Sequence, residues 1–111
     1  MTFKEASRVV FTSTDTAEIK EAIDSMHKFY VKETGLNGFE PGKEPLYSTP
    51  KGKYVSKYCA AHCLIDYNRT DSFLKGIFEA VANVFENKTE PIQILYAGCG
   101  PYASLVTPLT Q

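Results

Sequence analysis

Ile19, Ala22, Ile23, Met26, Phe29 and Tyr30 recur at three- and four-residue spacing, while Lys20, Glu21, Asp24 and Lys28 occupy the opposite side. That period predicts an amphipathic helix near residues 15 to 34 with one face to bury. Asp15 followed by Glu18 has the spacing of an N-cap with its reciprocal partner, and Gly35 supplies a stop. The run Val9-Val-Phe11 ahead of it is too short to assign. From Gly35 to Lys53 the chain carries Gly35, Gly38, Pro41, Gly42, Pro45, Pro50 and Gly52, a density that interrupts helix and strand alike and reads as a loop or hinge. Val55, Tyr58, Cys59, His62, Cys63 and Asp66 then follow helical spacing and predict a second helix near 52 to 67 with a mixed face.

A break at Asn68 to Asp71 comes next, where Thr70 or Asp71 is placed to cap a third helix near 71 to 87. Its stripe of Phe73, Leu74, Ile77, Phe78, Val81, Val84 and Phe85 is the cleanest amphipathic pattern in the chain and is expected to be core. Asn87, Lys88 and Thr89 close it. Ile92 to Tyr96 is unbroken apolar and aromatic sequence, the character of a strand near 92 to 97 covered on both faces, and Ala103 to Leu109 is expected as a short terminal helix. Such a strand needs neighbours, and no other segment of the pattern supplies them.

Composition narrows the function classes. At 111 residues, 43% hydrophobic and 13% aromatic, the chain suits one small globular unit with a modest core. Twelve basic against thirteen acidic residues leave a formal net charge of -1, so the chain lacks the electrostatic footprint of a nucleic-acid or anionic-membrane binder. No apolar run approaches the roughly 20 residues needed to cross a bilayer, and the first residues lack a signal-peptide core. Three cysteines, Cys59, Cys63 and Cys99, cannot all pair within the chain, and the expected compartment is a reducing one, the cytoplasm.

The chemistry-bearing stretch is Pro91-Ile-Gln-Ile-Leu-Tyr-Ala-Gly-Cys-Gly-Pro101, where the apolar run breaks into a turn with glycines at Gly98 and Gly100. Glycine has no Cβ, so a chain bent after a buried strand exposes amides and lets a ligand approach the backbone. This stretch resembles the first motif of class I S-adenosylmethionine-dependent methyltransferases, in which a strand ends in an acidic residue and a Gly-x-Gly-x-Gly turn before a helix. Gly98 and Gly100 match the first two glycines. Tyr102 occupies the third position, and Tyr96 stands where the family often has an acidic residue.

A second stretch, Asp66-Tyr-Asn-Arg69-Thr70-Asp-Ser-Phe73, resembles the segment that precedes this motif in protein arginine methyltransferases. There an Asp, an Arg-Thr pair and an aromatic residue lead a helix into the first strand. The resemblance implies that Arg69 binds the cofactor's carboxylate, for which a guanidinium fork is suited. The plainer reading is an ion pair with Asp66. The resemblance further implies a mostly α chain of three helices leading into the first strand, turn and helix of a Rossmann-like α/β methyltransferase domain. Residues 1–90 would be a helical cap, and 91–111 the start of the cofactor domain. Arg69, Tyr96, Gly98, Cys99 and Gly100 would bind S-adenosylmethionine, with no catalytic residue assigned. The domain would be incomplete, so the chain is expected to be an amino-terminal portion, inactive alone, whose strand pairs with another copy or with the missing remainder.

Other constellations are weaker. Cys59, His62 and Cys63 share a helical face, with Cys99 as a fourth candidate zinc ligand, but they lack the usual Cys-x-x-Cys knuckle, and the expectation is no metal. His27 has no second candidate ligand nearby and reads as a boundary histidine. Tyr47, Tyr54, Tyr58 and Tyr67 surround the second helix, where packing is the more ordinary use of such rings than lining a pocket. The rival to an enzyme is a non-enzymatic helical interaction or oligomerisation module with a structural glycine turn.

Overall fold

The computed structural model describes residues 1–43 and 46–111. Glu44 and Pro45, part of the expected loop, lie outside the described residues. Helix α1, Phe3–Thr12, opens on a reciprocal cap: Thr2 Oγ1 accepts from the Glu5 amide, and Glu5 Oε2 accepts from the Thr2 amide at 2.7 Å. This helix was not assigned from the sequence. Ala6, Ser7 and Val10 form its buried side, and they face helix α2, Thr16–Thr34. Phe3 meets Phe29 and Tyr30 across the pair, with ring centroids 4.4 and 5.4 Å apart.

The expected helix at 15 to 34 is α2, and Asp15 is its cap, with Oδ1 accepting from the Ala17 and Glu18 amides at 2.8 and 3.0 Å. Glu18 does not reciprocate. Its carboxylate instead accepts from the Ser13 hydroxyl at 2.7 Å, while Ser13 Oγ accepts from the Asp15 amide, so the α1–α2 turn is tied by a short relay. Gly35, at φ 71°, ends the helix. Ile19, Ala22, Ile23, Met26 and Tyr30 are buried as the stripe requires, and Phe29 lies at the edge of the face.

Where a loop was expected, an antiparallel hairpin forms from β1, Leu46–Thr49, and β2, Gly52–Val55, with Tyr47 opposite Tyr54 and Thr49 opposite Gly52. The glycine and proline density concealed two strands of only four residues each around Pro50 and Lys51. Helix α3, Lys57–His62, starts at the buried cap Ser56 and tightens into a 3₁₀ turn, Cys63–Ile65, so the single helix expected at 52 to 67 is a strand followed by two short helical pieces. Helix α4, Tyr67–Glu86, begins four residues earlier than expected because Asp66, not Thr70 or Asp71, caps it by accepting from the Arg69 amide at 3.2 Å. Thr70 is buried within it, donating to the Leu64 carbonyl at 2.7 Å.

Three further expectations are corrected. Only Leu74 of the α4 stripe is fully buried, while Phe73, Phe78, Val84 and Phe85 are exposed. The buried residues of the helix, Thr70 and Leu74, lie in its first half, so the core covers its start and leaves its far end bare. Residues Ile92 to Tyr96 form no ladder among the described residues, because a strand takes its hydrogen bonds from neighbours and the sheet present is the β1–β2 hairpin alone. The terminal helix is a 3₁₀ turn, Thr107–Thr110, preceded by Ala103 at φ 47°, a conformation that an α-helix cannot include. Tyr102 and the buried Pro108 return this end of the chain to the helical core. Among the described residues no helix is long and apolar enough to cross a membrane.

Candidate cofactor site

The glycine turn has the backbone its sequence demands. Gly98 and Gly100 sit at φ 66° and 64°, the left-handed region that costs an L-residue about 1–2 kcal/mol. A Cβ on Gly98 would meet nothing within 4 Å, whereas one on Gly100 would lie 3.3 Å from Ala60 Cβ. The turn is therefore seated on α3 at Gly100 and open at Gly98. Cys99 between them is exposed, with its thiol 3.4 Å from the Gly100 carbonyl oxygen.

Tyr96, half-buried, forms the base of the turn. Burial pushes its hydroxyl upward in pKa, the neighbouring Cys99 acts in the same direction, and the charge of Arg69 opposes them. Arg69 makes no ion pair with Asp66, whose carboxylate is engaged in capping, and among the described residues no salt bridge involves it. Its guanidinium lies over the ring of Phe73, 5.1 Å from the centroid, and the residue is exposed. The plainer sequence reading of Arg69, an ion pair, is not the arrangement formed. Asp66 and Thr70 serve to start and anchor α4.

Tyr102, at the position where the methyltransferase pattern has a third glycine, is nearly fully buried. Its ring stacks on Tyr30 at 4.8 Å with an interplanar angle of 9°, and its hydroxyl donates to the Leu36 carbonyl. Burial holds the hydroxyls of both Tyr30 and Tyr102 above their ordinary pKa. The sequence reading misses this anchor, because tyrosine at that position registers only as a departure from a motif. The available signal was a large ring flanked by turn residues, which must either pack or remain exposed.

The remaining candidates disperse. A cavity of about 320 Å³ is lined by Gly38, Phe39, Glu40, Lys43, Tyr58, Cys59 and His62. His62 meets Phe39 edge to face at 4.6 Å, and the main chain at Gly38 approaches α3 so closely that a Cβ there would lie 2.7 Å from the His62 amide nitrogen. Among the described residues no group of three His, Cys, Asp or Glu side chains is placed to hold a metal ion. His27 Nε2 lies 2.8 Å from the Asn37 carbonyl oxygen. Tyr67 donates to Asp24 at 2.7 Å and joins α4 to α2, whereas Tyr47 and Tyr54 stand on the exposed hairpin. Tyr58 lies beneath the ammonium groups of Lys43 and Lys57. Comparison with protein families, curated proteins and solved structures finds no match to this chain.

Proposed function

We propose that this chain forms part of the S-adenosylmethionine site of a class I methyltransferase-like protein, with residues 91–111 opening a Rossmann-like cofactor domain in a cytoplasmic enzyme. The observation that carries the reading is a left-handed Gly98–Gly100 turn in the same chain as an exposed guanidinium that has no carboxylate partner among the described residues. Gly98, Cys99 and Gly100 would offer backbone to the methionine and ribose portions, Tyr96 would border them, and Arg69 would take the carboxylate. Methyl transfer in such a site is in-line attack by an acceptor's lone pair on the sulfonium methyl, so protein groups contribute mainly position and field. No acceptor is assigned.

Calorimetric titration of S-adenosylmethionine tests this reading. Arg69→Ala should weaken binding by roughly 1.5 to 3 kcal/mol, the scale of a hydrogen bond to a charged group. An unchanged dissociation constant would remove Arg69 from the site. A second reading, a helical interaction module with a structural turn, is favoured by Tyr102, whose burial against Tyr30 gives the turn a packing role of its own. Heat of binding absent from wild type and variant alike would select it.

A further inference from the structure

α4 and the segment that follows it both leave large apolar side chains uncovered. Phe73 is 50%, Val84 43% and Phe85 67% exposed, and Ile77 and Val81 lie half-buried in the same stripe. Beyond α4 the chain turns back, since Gly100 stands against Ala60 of α3, the helix that precedes α4. The 17-residue step from Arg69 to Glu86 is about 25 Å of helix, and residues 87–100 recross it to reach α3. Ile94, at 47%, and Leu95, at 94% exposure, add their side chains to the surface.

The amount of surface is that of an interface. Taking about 150–250 Å² for a whole aromatic side chain and less for an aliphatic one, these groups present on the order of 500 Å² of apolar area. One side of a standard protein interface covers about 800 Å², of which roughly 56–65% is apolar. The patch fills that requirement and sits at the upper end of what a monomer ordinarily displays.

Charge selects the occupant. From Pro91 to Gln111 there is no Asp, Glu, Lys, Arg or His. A charged partner strand would find no counter-charge there, while an identical strand meets only neutral groups: centred on Ile94, Ile92 faces Tyr96 and Gln93 faces Leu95. The segment also lacks the lysines or inward charges by which natural edges discourage self-pairing. We propose that two copies of this chain associate about a two-fold axis, with the Ile92–Tyr96 segments pairing antiparallel and the Phe73–Phe85 stripes of the two α4 helices covering the joint. An isologous contact of this kind closes at a dimer.

Sedimentation velocity of the 111-residue chain over a dilution series tests the proposal. Wild type should convert from dimer to monomer on dilution. Leu95→Lys and Phe85→Lys, at side chains already largely in solvent and outside the residues assigned to the cofactor, should each weaken the dimer tenfold or more while far-ultraviolet circular dichroism shows the monomer fold intact. Tyr54→Ser on the hairpin should leave the dimer unchanged. A monomer at every concentration, a dimer that survives both lysine variants, or open-ended assembly would overturn the proposal.

Discussion

Gly98 and Gly100 separate two reasons why a residue must be glycine. Both have left-handed backbone, but only Gly100 also lacks room, with Ala60 3.3 Å from where a Cβ would stand. Gly98→Ala should therefore cost about 1 kcal/mol, from backbone strain alone, and Gly100→Ala measurably more, in thermal melts of the two variants. Equal losses would mean that the contact with α3 is not tight. The two glycines were legible from residue type and order, because a left-handed turn restricts which residues serve. Tyr102 was not legible. Its use depends on Tyr30 and Leu36, partners 72 and 66 residues away, and no local pattern records such partners.

At the scale of elements, α2 was readable because stripe, Asp15 cap and Gly35 stop all agree. Helix α1 was missed although Thr2 and Glu5 have capping-box spacing, since its apolar stretch is short. The α4 stripe was read as core because periodicity reports a face that needs cover without reporting that cover exists. The loop before the hairpin shows how much a single polar group can hold: the Glu40 carboxylate accepts from the amides of Asn37 and Gly38 at 2.7 and 3.0 Å. Those hydrogen bonds, the Asn37 amide foremost, lower the Glu40 pKa below its ordinary 4.5. A carboxylate depressed in the folded state contributes stability above its unfolded pKa, and that contribution disappears as pH falls through the folded value. The difference in melting temperature between wild type and Glu40→Gln should accordingly be present at neutral pH and vanish in acid well below 4.5. A difference that persists there would place the effect outside ionisation.

The whole molecule is more expanded than its length requires. Its radius of gyration is 15.3 Å, against about 13 Å for a compact domain of this size, and its extents are 45 × 34 × 23 Å. The excess follows from the overhanging end of α4 and the exposed hairpin, with the core confined to the α1–α2 pair, α3, the start of α4 and Tyr102. Leu74→Ala, within that core, should cost about 2–5 kcal/mol in denaturant unfolding. Phe85→Ala, on the same stripe three turns later, should cost less than about 0.5 kcal/mol at concentrations where the chain is monomeric. Similar costs would show that the outer part of α4 is already covered. The most direct test of the central claim, a cofactor site at the glycine turn, is a nitrogen-15 amide spectrum of the chain titrated with S-adenosylmethionine. The account predicts shifts concentrated at Tyr96 to Gly100 and at Arg69, and lost in Arg69→Ala. A spectrum that does not move, or that moves only around Phe39, Tyr58 and His62, would contradict it.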